Sequence, residues 1–379
     1  MIVIKEVKTR KDDRNFTNFP NKMYKDVPAF VPALSVDERN VFNKKKNPAS
    51  DYVESIRFLA YKDNKIVGRI AGLINHKINY TLNKKQVRFT RLDMIDDIEV
   101  TKALISAVEK WGYETFGMNE IIGPIGFTDM DRQGMLIEGF EYLNLFITIY
   151  NFPYYKDHME QLGFMKDVDW SEKRISWPTE VPEKVARVTP LIKQRYGYRL
   201  YKPKTIKDLD NFVYDAFEVY NNAFKELYGF FPVPKKVIDF YVKQVLGIIR
   251  LDWVWVVYDK EDNIAGFGVV MPSLGMANKK NNGRLFPFGW VRILKALKKY
   301  DTIDFYFIAV DPKHQNRGVS ALIFEDAIKT GIKHGVKFAE TGPELVDNIA
   351  IQSFWKDFNY IEHRKRRCWI KQIDTSQYE

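Results

Sequence analysis

Cysteine is almost absent from this chain: Cys368 is the only one in 379 residues. An intramolecular disulfide is therefore excluded, as is a zinc site built on paired thiolates, and the composition fits a reducing compartment. Cys368 stands in a strand-like run, Cys368-Trp369-Ile370, and reads as a small packed residue, not a nucleophile. Histidine is scarce too. The five, His76, His158, His314, His334 and His363, show no pairwise ligand spacing, so no metal is expected. No segment approaches the roughly 18 apolar residues that a membrane-spanning helix needs. Met1 to Ile4 run straight into charge, unlike a signal peptide. These absences predict a cytoplasmic protein with no membrane partner.

What is present supports buried cores. Hydrophobic residues make up 45% of the chain and aromatic ones 15%, and the length leaves room for two domains. A formal charge of +10 favours anionic ligands in general. The basic residues are dispersed, with local clusters at Lys44 to Lys46, Lys279-Lys280 and His363 to Arg367. With no zinc finger, RNP motif or long basic arm, nucleic acid is not an expected partner.

The most informative stretch runs from Ile303 to Gly335. Ile303 to Val310 is an apolar run of strand length, followed by a polar turn through Gln315-Asn316-Arg317-Gly318-Val319-Ser320. Ala321, Leu322, Phe324, Ala327, Ile328, Gly331 and Ile332 then recur at helical spacing, with charged residues on the other face. The spacing predicts strand, loop and amphipathic helix. The first amides of such a helix lack internal acceptors, the helix dipole adds partial positive charge and Arg317 adds a full one. Gly318, without a Cβ, admits close approach to the backbone. A phosphate or pyrophosphate suits such a helix start, although many plain strand-to-helix turns look alike.

The pattern V-x-P-x-x-Q-x-x-G-x-S resembles the acetyl-CoA loop of the GNAT superfamily of N-acetyltransferases, whose usual form is Q/R-x-x-G-x-G/A. Gln315, Arg317 and Gly318 fit, and Ser320 replaces a commoner glycine or alanine. Val336 to Thr341 is similar to the family's next strand, and Asp347-Asn348 opens a helix ending near Phe358-Asn359-Tyr360. The resemblance implies acetyl-CoA contacts from Gln315, Asn316, Arg317, Gly318, Val319, Ser320 and Asn348, and main-chain donors to the thioester carbonyl near Ala309 and Val310. Two departures stand out. Trp355 occupies the place of the tyrosine that protonates the leaving thiolate in many members, and Asn359 replaces a glycine.

A weaker repeat lies upstream. Ser55 to Tyr61, a Lys62-Asp63-Asn64 turn and Lys65 to Asn75 resemble Trp253 to Tyr258, the turn Asp259 to Asn263 and Ile264 to Met271. Gln86 to Leu92 reads as the corresponding strand. Asp96-Asp97-Ile98-Glu99 then opens a helix, with Asp96 and Glu99 spaced as a capping box. Those carboxylates would repel a pyrophosphate, so only the second copy is expected to bind coenzyme A. Glu120 to Pro124 reads as a further strand. Lys8 to Asn18 reads as a polar stretch, and Asn21 to Asp26, between Pro20 and Pro28, as extended or turn structure.

The expected fold class is α/β, with an α+β mixed sheet: two tandem GNAT-like acyl-CoA N-acyltransferase domains. Residues 1–177 form the first, with a degenerate cofactor loop; 178–197 form a linker; 198–379 form the second, which binds acetyl-CoA. A long connection from Ser273, with a basic helix over Trp290 to Lys299, reads as a lid, an acceptor-site wall or a surface insertion. Direct acetyl transfer to an amine needs a base, carbonyl donors and an acid. Asp304, inside an apolar strand, is the candidate base, with Glu340 as the alternative or as the structural partner of a basic residue. Tyr306 is the candidate acid, or a core residue. The implied function is transfer of an acetyl group from acetyl-CoA to a small-molecule or peptide amine. The alternatives are an inactive coenzyme A-binding or scaffold protein, and an aminoacyl transferase of the tandem-domain, peptidoglycan-building type. Oligomeric state is left open.

Overall fold

The computed structural model describes residues 1–378. Its strands in the first half are β1 (Ile2–Glu6), β2 (Val53–Lys62), β3 (Lys65–Asn75), β4 (Gln86–Met94), β5 (Glu120–Gly123), β6 (Met135–Glu138) and β7 (Met165–Ser176). The second half has β8 (Arg199–Tyr201), β9 (Val254–Tyr258), β10 (Ile264–Pro272), β11 (Thr302–Val310), β12 (Phe338–Glu340), β13 (Glu344–Leu345) and β14 (Tyr360–Gln372). Turn chemistry sets the hairpins. Asp63 and Asn64 both adopt left-handed dihedrals, φ 50° and 59°, which short polar side chains tolerate, and they join β2 to β3.

One mixed sheet results, in the order β1-β2-β3-β4-β5-β14-β7-β12-β11-β10-β9-β8, with β6 on β14 and β13 on β7. The order contains an exchange. β7, from the first half, pairs with β12 of the second, while β14, the last strand, pairs with β5 of the first. β7 and β14 also pair with each other, from Tyr360↔Ile175 to Ile370↔Met165.

The helices cover this sheet. The first half carries α1 (Arg10–Met23), α2 (Ser35–Val41), α3 (His76–Thr81), α4 (Ile98–Phe116) and α5 (Tyr154–Gln161). The second carries α6 (Glu183–Tyr196), α7 (Ile206–Asp210), α8 (Val213–Phe224), α9 (Lys235–Leu246), α10 (Gly275–Lys280), α11 (Gly289–Lys298), α12 (Val319–His334) and α13 (Ile349–Phe354). One core packs α4 on the first half of the sheet through Val100, Leu104 and Val108, and a second packs α12 on the other half through Leu322, Ile323 and Ala327. A third is shared, bringing Tyr52 and Phe127 against Tyr220, Val237 and Phe267.

One local expectation is corrected. Residues 10–23, expected as polar coil and turn, form α1. Thr9 and Asp12 make a capping box at its start, and Phe16, Thr17 and Phe19 are buried on one face. Pro20 cannot donate to the Phe16 carbonyl, but Arg69 Nη1 does so at 2.8 Å, and the helix persists through the proline. The 178–197 segment is mostly helix: α6 packs against α12 and ends at Gly197, φ 69°.

Candidate active site

In each half a parallel strand pair opens like a V. β4 and β5 pair from Gln86↔Glu120 to Arg88↔Ile122, and β11 and β12 from Thr302↔Phe338 to Asp304↔Glu340. Each pairing stops at or just before a Gly-Pro, Gly123-Pro124 or Gly342-Pro343. Proline brings no donor to extend a ladder, and the strands part. Each inner strand then bulges. On β11 the register jumps from Phe305↔Val270 to Phe307↔Val269, leaving Tyr306 unopposed. On β4 it jumps from Asp93↔Arg69 to Thr90↔Ala71, and Arg91 takes φ 51°. Bulges re-aim side chains, and both residues turn to the same cavity.

That cavity is about 750 Å³ and lies between the halves. One wall is apolar: Phe224 and Tyr228 from α8 and its following turn, Tyr241, Val245 and Ile248 from α9 and beyond, Ile293 and Leu294 from α11, and Phe307 from β11. The other wall, from the first half, holds Asp37, Glu38, Arg91, Asp129, Asp131 and Arg132. Arg91 is bidentate to Asp131, at 2.8 and 3.0 Å, and to Glu38, at 3.2 and 3.3 Å. Burial opposes charge on Glu38, but Arg91, Arg132 and Arg69 outweigh it and hold its pKa at about 2. Asp37 and Asp129 form no ion pair among the described residues, and burial raises both. Tyr220 Oη donates to Asp129 Oδ2 at 2.6 Å. Four carboxylates thus face two guanidiniums, in a chain whose overall charge is positive.

The candidate residues of β11 part company. Asp304 is 2% exposed, with Oδ1 unpartnered; burial and the facing Glu340 push its pKa up to about 7. It lies beneath the cavity wall, not in it. Glu340 belongs to a buried ion network, 2.8 Å from His363 Nε2 and 3.0 Å from Arg364 Nη2. Arg364 also binds Glu172, which Arg366 shares, and all three side chains are closed to water at the β7–β14 seam. Tyr306 lines the cavity, and burial raises its phenol far above the ordinary range.

The loop after β11 has another character. Asn316 and Gly318 are left-handed, φ 59° and 80°, and no side chain caps α12. Among the described residues, no amide from Asn316 to Ala321 donates a hydrogen bond within the chain. Gln315, Asn316 and Arg317 are exposed, Ser320 is half-buried, and Val319 is a core side chain that offers only its backbone. The Cα of Gly318 faces Ile192 of α6, so the space freed by the missing Cβ is filled by protein. Arg317 borders a separate polar cleft of about 960 Å³ with Lys260, Lys313 and His314. Ala309 packs in the shared core, Val310 lies beside α12, and both pair with β10. Asn348 caps α13, accepting from Ile351 N at 3.4 Å. Trp355 is buried, its Nε1 donating to Glu344 at 2.8 Å.

The polar wall escaped sequence reasoning because it comes from the half set aside as degenerate. A signal was present. Gln86 to Met94 holds Arg88, Arg91 and Asp93 in a strand whose nine residues are all buried, and Asp129-Met130-Asp131-Arg132 follows the Gly-Pro. Charges inside an apolar strand are costly unless paired, and so point to a network.

No protein-family profile matches the chain. The protein named YghO from Escherichia coli (strain K12) is 28% identical over 294 residues, covering 76% of this chain and 73% of the relative. A protein named bacterial ceramide synthase from Caulobacter vibrioides is 24% identical over 298 residues, covering 77% and 75%. Among solved structures, a tandem GNAT protein from the clavulanic acid biosynthesis pathway matches with a TM-score of 0.58 at 11% identity over 98% of both chains. A probable N-acyltransferase from Enterococcus faecalis V583 matches at 0.51 and 7% identity, covering 99% of this chain and 73% of that one.

Proposed function

We propose that this chain, which has the tandem GNAT fold, is an N-acyltransferase that moves an acyl group from its coenzyme A thioester to an amine, with a long apolar acyl chain as the preferred donor. The observation that carries the reading is the cavity opening at the β11 bulge. Its wall beside Tyr306 and Phe307 is apolar, and about 750 Å³ is far more than a two-carbon acetyl group fills. The name of the Caulobacter relative agrees, since a ceramide is the amide of a fatty acid and a long-chain amino alcohol.

Each residue group then has a part. The free amides from Asn316 to Ala321 suit the cofactor's phosphates. The carboxylate excess on the first-half wall attracts an amine that arrives as an ammonium ion. Asp129, its pKa raised by burial, takes the amine's proton. The neutral nitrogen attacks the thioester carbonyl carbon, the C–N bond forms and the C–S bond breaks. Tyr306, held protonated, donates a hydrogen bond to the departing sulfur, and the second proton, shed by the acylated nitrogen, leaves with that sulfur as the coenzyme A thiol.

The test is calorimetric titration with acetyl-CoA and palmitoyl-CoA, followed by thiol release with and without a long-chain amino alcohol. Palmitoyl-CoA is expected to bind at least about tenfold tighter, and release should depend on the amine. Ile192 over Gly318 and the buried Trp355 favour a second reading, a coenzyme A-binding scaffold without catalysis. Binding without amine-dependent release would support it. Failure of every acyl-CoA to bind would overturn both and favour the aminoacyl transferase.

A further inference from the structure

From Ile264 to Tyr300 the chain contains no aspartate or glutamate but seven lysines and arginines. The same segment carries a run of exposed apolar side chains. Phe286 is 78% exposed and Phe288 68%, followed by Trp290 at 48% and Val291 and Leu294 at 44% each. Single exposed apolar residues are ordinary, but two phenylalanines, a tryptophan and two aliphatics within nine positions form a patch. Around them Lys280, Arg284, Lys295, Lys298 and Lys299 make no ion pair among the described residues.

The patch is the outer side of a roof. Ile293 and Leu297 of α11 pack inward on Leu274 and Ala277. Trp290 and Leu294 do two things at once: they line the 750 Å³ cavity and face solvent, so they form its rim. An exposed apolar and basic surface is thus continuous with the apolar interior.

We propose that this face docks on the surface of an anionic lipid bilayer, with Phe286, Phe288 and Trp290 entering the interface and the lysines meeting the headgroups. The chemistry favours this partner over others. Apolar side chains interleaved with unpaired cations match a surface that offers apolar depth beneath negative charge. A second copy of the chain would bring like charge against like. Continuity with the cavity gives an amphiphile a path from the bilayer into the protein without crossing water. The absence of a spanning helix, from which no membrane partner was expected, does not bear on such peripheral docking.

The experiment needs no acyl transfer. The full chain is floated with vesicles of phosphatidylcholine alone and in equal parts with phosphatidylglycerol, at low and high salt. Trp290 is the exposed one of eight tryptophans, so a blue shift of emission on vesicle addition reports on it. Binding to the mixed vesicles is expected, weakened by salt. It should fall at least about tenfold in Lys295→Glu/Lys298→Glu/Lys299→Glu, and also in Phe286→Ser/Phe288→Ser. All five side chains are exposed, so both variants should keep the wild-type circular dichroism and unfolding midpoint. No co-flotation at low salt, or binding unchanged in both variants, would overturn the proposal. A concentration-dependent dimer abolished by Phe286→Ser/Phe288→Ser, without vesicle binding, would overturn it too and assign the face to a second copy.

Discussion

β4 and β11 hold corresponding places in the two halves, and their differences are chemical. Each pairs in parallel over three positions with the strand after it, parts from it near a Gly-Pro and bulges toward one cavity. β4 is buried throughout and carries Arg88, Arg91 and Asp93; Asp93 meets Arg69 at 2.7 Å and Arg91 meets two carboxylates. β11 offers Asp304 and an unopposed tyrosine. The helices that follow differ in the same sense. Asp97, not Asp96, caps α4, accepting from Glu99 N at 3.1 Å and meeting Lys62 at 2.8 Å, whereas α12 begins without a side-chain cap. The first copy ties the charges of its inner strand and helix start into internal pairs, whereas the second leaves its helix start without a side-chain cap.

The largest effect is expected where the halves join. Glu172 lies between Arg364 and Arg366 with no exposure, so Glu172→Gln leaves the buried Arg366 without a carboxylate and Arg364 with Glu340 alone, and should cost about 3–5 kcal/mol in urea unfolding. The wild type should unfold in one transition because each half completes its sheet with the other's strand; two transitions would break that picture. Next come the two bulges. Arg91→Met should cost about 3 kcal/mol by stranding Asp131 and leaving Glu38 only the longer contact with Arg132, 3.8 Å away. Tyr306→Phe should change stability by under about 0.5 kcal/mol, while amine-dependent thiol release falls about tenfold or more. Equal stability losses would erase the contrast between them.

Asp304 gives a smaller effect with a defined sign. Its folded pKa of about 7 exceeds the unfolded value of 3.8, so between them the unfolded chain loses the proton that the folded one keeps. Stability from this group is complete at acid pH and is lost as pH rises through about 7. Asp304→Asn should therefore gain on wild type by about 2–3 kcal/mol between pH 5 and pH 8. The opposite slope would show a carboxylate stabilised by Arg364. The smallest change concerns α6: Ile192→Ala, which uncovers Gly318, should tighten acyl-CoA binding by about threefold, read by calorimetry, if α6 restricts the loop.

Much of this was legible locally. Asp63-Asn64 marked the first hairpin, the 3.6-residue period marked α4 and α12, and Gly318 marked the start of α12. α1 was hidden because Pro20 argues against a helix until Arg69, some fifty residues on, supplies the missing donor. The carboxylate wall was hidden for a related reason. Glu38, Arg91 and Asp131 lie far apart in the chain, and no local period connects them. Asp304 was legible as a carboxylate in an apolar strand, but its place beneath the cavity followed from the register with β12.

By itself the chain order determined two α/β units in succession, their hairpins and the glycine turn into α12, because each depends on residues a few positions apart. Only the tertiary structure decided that β7 and β14 change places and that both Vs open into one cavity. Both strands are rich in charge, and neither carries a strict alternation that would name its partner. The choice between partners rests on closing every backbone ladder and burying Glu172 with both arginines, which no short stretch of sequence contains.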